Sequence, residues 1–411
     1  MGISHRRAVA GWGADEGRVE SGMVDGRVSL PKSDWIVLPA LSLLTMALII
    51  GAFELTARIF FAESKTTTLK CLVVNDSSTG VRAIPNTSCS QKMAESDLVQ
   101  YTINSCGHRA GMECLPKAAD TYRIVMVGSS FNYGMGVPRE QSFAALLPED
   151  LALRTGRKIE LYNEAMQWGH PHSVVLRFKE VLAAKPDMIL WPLTPVDFAS
   201  VDVTLPPGPP PVDPKAPAVG VWNRLRTALT SRSPTEIVAK TWTRMANTLN
   251  ETHTVFLLQH EIFKSQSQFV KQYLMQPAAS DYLRRDPTAE TRQHLASFAR
   301  YFSDVEAQAK NIGATIVVVL LPERAQAAMI SMKESPAGYD PYKLGREVES
   351  IVTSRGGTYV DILSSFRSIP NPEQYYMPVD GHPTVDGHAM ISRLLAQALT
   401  DGATPALSRV R

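Results

Sequence analysis

The sequence predicts an α/β protein: a three-layer, doubly wound parallel sheet of flavodoxin-like type, with an N-terminal transmembrane helix ahead of it and a helical insertion within it. Three observations carry this prediction. Short runs such as Ile124-Val-Met-Val127 and Thr315-Ile-Val-Val-Val-Leu-Leu321 are apolar almost throughout, as strands buried on both faces are. Stretches with apolar residues at helical spacing separate these runs, and such alternation builds a parallel sheet with helices on both faces. Finally, Gly128-Ser129-Ser130 closes the first run. It puts hydroxyls at the carboxyl end of a strand, where open α/β sheets bind ligands.

The chain has 411 residues, enough for one large or two modest domains, and 44% are hydrophobic, an ordinary share for a full core. Its net charge is +2 and no basic stripe interleaves with aromatics, which argues against a nucleic-acid partner. Residues 1–34 are rich in Gly, Arg and acidic side chains and lack an apolar period, so they read as a disordered tail. Residues 35–53 are apolar and uncharged. At about 1.5 Å per residue they nearly cross a bilayer core of about 30 Å, and flanking residues extend the anchor to 35–58. Glu54 and Arg58 follow one turn apart on one helical face. That pattern suits an interfacial helix end better than a signal-peptide cleavage site.

Basic residues do not orient this helix, because Arg18, Arg27 and Lys32 upstream balance Arg58, Lys65 and Lys70 downstream. The cysteines do. Cys71, Cys89, Cys106 and Cys114 all lie downstream, within residues 62–120. An even, clustered set implies two disulfides in an oxidising compartment. Three pairings are open, and the spacing matches no tight zinc pair. The tail is therefore placed in the cytoplasm and the bulk of the chain outside. The cysteine-bearing segment is polar and rich in turn signals. It has too few apolar residues for its own core and is expected to pack on the domain that follows.

That domain covers 121–400. Helices are expected over 142–153, 174–184, 291–311 and 341–354, and strands over 159–163, 188–193, 315–321 and 358–362. An apolar-periodic helix over 389–399 closes the domain. Residues 203–220 hold Leu205-Pro-Pro-Gly-Pro-Pro-Pro-Val-Asp-Pro214, a polyproline-like linker that cannot join a sheet. It opens an insertion of about 203–290 with helical segments over 221–275. The insertion could be a lid over the site, a membrane- or partner-contacting piece, or a cap packed on the sheet edge.

The residue types of a Ser-His-Asp relay occur at the two ends of this domain. Ser130 follows the first strand; Asp380 and His382 precede the last helix. A hydroxyl is a weak nucleophile at neutral pH and needs a base. An imidazole can take its proton and return it, and a carboxylate orients the imidazole. Gly128-Ser129-Ser130, the run Phe131-Asn-Tyr-Gly-Met-Gly-Val137 and Asp380-Gly-His382-Pro-Thr384 resemble blocks of the SGNH hydrolases, also called the GDSL family. The likeness is strongest to the membrane-anchored bacterial branch. Asn104-Ser-Cys-Gly-His-Arg109 is similar to a stretch which that branch carries ahead of its first block. The resemblance covers about residues 101–398, apart from the insertion.

It implies Ser130 as nucleophile, His382 as base and Asp380 as its orienting partner. It also implies an oxyanion hole from the Ser130 amide, a glycine after the second strand, for which Gly169 stands one place out of register, and an Asn after the third strand. Val196 occupies that last position and cannot donate from its side chain, so Thr194 is the substitute. Losing one such donor typically costs about 10²–10³ in rate. Two further departures are Ser129 where the family has Asp, and the Asp-x-His step, one residue shorter than the commoner spacing. His388 makes a second such pair with Asp386 and is read as structural. His170 and His172, flanking Pro171, are too weak a pattern for a metal, and neither metal nor cofactor is expected.

The function so implied is an anchored serine esterase or acyltransferase at the bacterial inner membrane, facing the periplasm or exterior. Its substrate would be an acylated carbohydrate, with O-acyl groups of envelope or exported polysaccharide passing through an acyl-Ser130 intermediate. An envelope protein partner is compatible with this. The other reading is a degenerate relative that binds a glycan or a protein without turnover, which Val196 and the displaced Gly169 motivate.

Overall fold

The computed structural model describes residues 31, 33–62, 68–76, 80–203, 252–333, 335–404 and 407. The expected tail (all but its last few residues), the polyproline-like linker and the first part of the insertion lie outside them. The chain divides into two compact units, Met1–Ala52 and Phe53–Arg411. Helix α1, Asp34–Phe60, has a mean hydropathy of 2.4 over its most apolar stretch and is long and apolar enough to cross a membrane. Glu54 and Arg58 near its end form an ion pair at 2.9 Å.

Two small antiparallel ribbons follow: β1 (Leu72–Asp76) with β2 (Gly80–Ala83), and β3 (Thr87–Lys92) with β4 (Leu98–Ile103). The cysteines pair as Cys71–Cys89 and Cys106–Cys114. The first bridge ties the start of β1 to β3. Val81, Val99, Tyr101 and Ile103 bury their side chains together with Tyr133 and Met166 of the later domain. The small apolar content of this segment is thus completed by its neighbour. Arg109 adds a polar link. It is buried against the stacked Tyr101 and Tyr133 rings and donates to the carbonyls of Tyr133, Gly134 and Val137 at 2.6–2.8 Å.

The main sheet has five parallel strands in the order β6-β5-β7-β8-β9: Lys158–Asn163, Thr121–Met126, Met188–Leu193, Thr315–Leu320 and Thr358–Val360. The first strand, β5, lies inside the sheet, second from one edge, and the order reverses beside it, the doubly wound 2-1-3-4-5 arrangement. Helices α2 (Ser130–Tyr133) and α3 (Phe143–Thr155) link β5 to β6. Helix α4 (Pro171–Ala183) links β6 to β7, and α5 (Pro195–Ala199) follows β7. Past 251 come α6 (His253–Phe263), α7 (Gln266–Leu274), α8 (Pro277–Ser280) and α9 (Ala289–Asn311). Helices α10 (Arg324–Met332) and α11 (Lys343–Thr353) lie between β8 and β9, and α12 (Val385–Ala398) closes the domain. Right-handed crossovers in this strand order put α3 and α12 on one face and α4, α9 and α11 on the other, and these are the groups that pack together. Strand β7 is buried at every position, and β8 at all but its first.

Among the described residues the expected elements form, with ends shifted by a few residues; the helical segments expected over 221–251 lie outside them. The last helix starts at Val385 rather than 389 because the Thr384 hydroxyl caps it, accepting from the Gly387 amide at 3.2 Å. Helix α10 was not expected: it is buried continuously from Arg324 to Ile330, on every side, so it carries no apolar period. Peptide mapping without reduction should recover only the 71–89 and 106–114 bridges, and a crossed pairing would refute this arrangement. In detergent, the paired Cys71→Ala and Cys89→Ala substitutions should lower unfolding stability by about 2–4 kcal/mol.

Candidate active site

The site begins where β5 ends. Beyond Met126 the chain turns away from β7 at Gly128, whose φ of +139° suits glycine. A Cβ there would also lie 1.7 Å from the Asn132 side-chain nitrogen Nδ2. On the β5 side of β7, the Val127 amide still donates to Leu190 at 3.0 Å. Two residues on, the same edge of β7 has no strand beside it, and its residue is Pro192, which has no N–H to leave unpaired. The Pro192 carbonyl is taken by the Asn132 side chain at 2.7 Å, which also donates to Val127 at 3.2 Å. Asn132 therefore bridges the gap between diverging strands. Asn163, at the end of β6, donates to the Asn132 carbonyl at 2.8 Å. The turn that carries Ser130 is fixed by three strand ends.

Ser129 does not cap α2: its hydroxyl is buried and has no hydrogen-bond partner among the described residues. The Ser130 hydroxyl points to the loop before α12. It lies 2.8 Å from His382 Nε2, and His382 Nδ1 lies 2.5 Å from Asp380 Oδ1. The same carboxylate oxygen accepts the His382 backbone N–H at 3.1 Å. That closed Asx-type turn is how the short Asp-x-His step works. Gly381 between them has φ +83° with open space around its Cβ position. Phe131 packs against the imidazole with centroids 4.9 Å apart. Burial pushes the Asp380 carboxyl up, but the His382 ring and its two N–H bonds outweigh this and hold it below the usual carboxylate range. The result is the geometry of a Ser-His-Asp relay.

The oxyanion positions turn out differently. The Ser130 amide has no acceptor among the described residues. Gly169 is not the expected donor, because its N–H bonds the Met166 carbonyl at 2.9 Å in a tight turn. Its role is spatial: a Cβ there would stand 2.1 Å from the Gly128 carbonyl oxygen. Thr194 is not the substitute either. It is fully buried, and both its amide and its hydroxyl donate to Asp197 at 2.8 Å. Val196 does face the cavity, and its amide donates to Glu323 at 2.8 Å. Trp168, in the same turn as Gly169, has φ +60° and lines the cavity.

His388 lies fully buried against Phe143, whose amide donates to its Nδ1 at 3.2 Å. Burial pushes it down to about 3, so it is a neutral core residue. His170 pairs with Asp197 at 3.3 Å, while His172 stacks on Tyr301.

The relay opens into a cavity of about 700 Å³. Helices α6 and α7, from the end of the insertion, supply much of one wall through Phe263, Phe269, Gln272 and Tyr273. The described part of the insertion is therefore a wall of the site. Glu323 accepts from both Val196 and the Tyr273 hydroxyl, the latter at 3.2 Å. Arg324 bonds the Pro378 and Phe263 carbonyls and covers the Phe269 ring at 4.0 Å. Sequence reasoning missed both. The Pro322-Glu323-Arg324 step after the most strand-like run was the available signal.

A doubly wound sheet with a Ser-His-Asp arrangement at its switch point is the class that fold and site define. No family model matches the chain. No curated protein matches it either. Solved structures similar to it include an acetylxylan esterase from Geobacillus stearothermophilus, in a catalytic mutant (12% identity over 72% of this chain and 100% of that one, TM-score 0.38). Another is the lipase/acylhydrolase from Enterococcus faecalis (13% identity over 68% and 95%, TM-score 0.36). At these scores the likeness adds nothing to what the chain's own geometry provides.

Burial raises Glu323 from 4.5 to about 7, although the Val196 and Tyr273 bonds oppose it. The folded protein thus holds this proton more tightly than the unfolded chain. The stabilisation is complete below 4.5 and is lost as pH rises through about 7. Glu164, buried beside Arg177, is raised to about 7 by the same cause. The Glu323→Gln variant should therefore gain thermal stability relative to wild type as pH rises from about 4.5 to 7. A pH-independent difference in Tm would show that Glu323 ionises normally.

Proposed function

We propose that this chain is an SGNH-type serine esterase or O-acyltransferase acting through an acyl-Ser130 intermediate. The observation that carries the reading is the continuous Ser130–His382–Asp380 line at the carboxyl edge of the sheet. In the forward step the Ser130 oxygen attacks the ester carbonyl and His382 takes its proton. As the tetrahedral adduct collapses, His382 returns that proton to the leaving alcohol. Water or a sugar hydroxyl then attacks the acyl-enzyme, again with His382 as base. Asp380 stays ionised and holds the imidazole. The Ser130 amide is the developing oxyanion's candidate main-chain donor.

The cavity suits an uncharged ester. Among its described lining residues Arg324 is the Lys or Arg side chain, and it is already bonded to two carbonyls. O-acyl groups on envelope or exported polysaccharide fit a chain with a helix long enough to cross a membrane and two disulfides that follow it in the sequence. That layout supports a periplasmic or extracellular site. A second reading, a glycan- or protein-binding relative without turnover, is favoured by the engaged Gly169 amide and the buried Thr194 hydroxyl.

A fluorophosphonate probe should label the wild type, and Ser130→Ala should abolish labelling. His382→Ala should lower turnover of a small acetate ester by about 10³-fold or more. Unchanged labelling of Ser130→Ala would remove Ser130 from this role, and no labelling of the wild type would favour the binding reading.

A further inference from the structure

Glu95 lies in the turn between β3 and β4, far from the relay in sequence, and its side chain is 2% exposed. Both of its oxygens are 3.0 Å from the Val379 amide, and Oε2 is 2.8 Å from the Asp380 amide. Oε1 is also 2.6 Å from His260 Nδ1 on α6. One buried carboxylate thus joins three elements: the disulfide-tied ribbon, the loop that carries Asp380 and His382, and a helix of the cavity wall. Arg324 does the complementary thing from the other side. It binds the Pro378 carbonyl in the same loop and the Phe263 carbonyl on the same helix.

The loop needs such support. Gly381 is in the left-handed region and its Cβ position meets nothing within 4 Å. Its other main-chain ties are the Met377–His382, Gly381–Met377 and Thr384–Tyr375 bonds at 2.8, 3.1 and 2.9 Å, which close its base and leave Val379 and Asp380 to Glu95. The amides bound by Glu95 belong to the residue before Asp380 and to Asp380 itself, so they set the backbone from which the carboxylate turns back to His382. Helix α6 is in turn fixed at its other end. Glu54 accepts the Thr254 amide and hydroxyl at 2.9 and 2.8 Å, and Phe61 packs on Phe256 and His260.

We propose that Glu95 is a positioning residue for the Asp380–His382 pair, acting through the Val379 and Asp380 amides with α6 as its brace. This rests on the reading of Ser130 as nucleophile. The same carboxylate could instead do no more than stabilise the fold, or shape the cavity through α6. Substitution by Gln separates these roles, because it preserves shape but turns an N–H₂ group toward donors.

The test uses the full chain in detergent micelles and p-nitrophenyl acetate, an ester too small to need the far wall. Sites are counted by end-point fluorophosphonate labelling, and rates are taken well below each variant's own Tm. Glu95→Gln should lower kcat per labelled site about 10–100-fold, the scale of a misplacement of about 1 Å, with KM changed less than about 3-fold. His260→Gln, which loosens only the brace, should lower kcat by a smaller factor and decides the matter if Glu95→Gln does not fold. A fall in Tm with kcat per site unchanged would overturn the proposal in favour of a purely structural role. A raised KM at unchanged kcat would overturn it in favour of the cavity wall. Ser130→Ala runs in parallel. If it retains wild-type turnover, the nucleophile reading fails and the positioning role with it. If it is inactive while both other variants turn over normally, the positioning role alone fails.

Discussion

The structure depends on how β5 and β7 part at the switch point of the sheet. Two parallel strands that separate must leave main-chain groups facing each other without a ladder, and a buried unpaired carbonyl is costly. Asn132 removes that cost with one side-chain amide that reaches the Pro192 and Val127 carbonyls. Proline on the facing edge removes the donor that would otherwise need a partner. The gap so stabilised is where Ser130 stands. The relay is thus less an addition to the fold than a use of the place where strand pairing has to stop.

Around this gap, loops are held by buried polar side chains that bind main chain, rather than by apolar packing. Arg109 binds the carbonyls after α2, Asn163 the Asn132 carbonyl, Glu95 the amides before His382, and Arg324 the carbonyl before those. Such groups are expensive to bury without partners but, once satisfied, specify one geometry. That suits a site in which Oγ, Nε2 and a carboxylate must lie in line. It also gives the cysteine-bearing segment a structural role, since it supplies both Arg109 and Glu95. Its disulfides stiffen a part that has little core of its own.

The legible features were those encoded locally. The strands β7 and β8 could be read because a strand covered on both faces is apolar at nearly every position. The helices α3, α4 and α9 could be read from their 3.6-residue period. Helix α10 was hidden because it is buried on every side, Arg324 and Gln326 included, and so has no period to read. Strand β3 was hidden because its residues are nearly all polar and only partly buried, without alternation, whereas β4 carried a readable alternation, with Val99, Tyr101 and Ile103 buried on one face. Gly169 and Thr194 misled for one reason. Their residue types suit an oxyanion donor, yet whether a donor is free depends on what lies beside it, here Met166 and Asp197.

The sequence alone determined the class of fold and the long apolar helix, because period and hydropathy are local properties; Ser130, His382 and Asp380 were singled out by their likeness to family blocks, and that they meet is a fact of the tertiary structure. Tertiary structure alone decided the disulfide pairing, the engagement of the supposed oxyanion donors and the contacts made by Glu95, Glu323 and Arg324. Each of these is a contact between segments distant in the chain. Nothing in a residue's own neighbourhood states which buried group will reach it once the strands are paired and the loops brought to one edge.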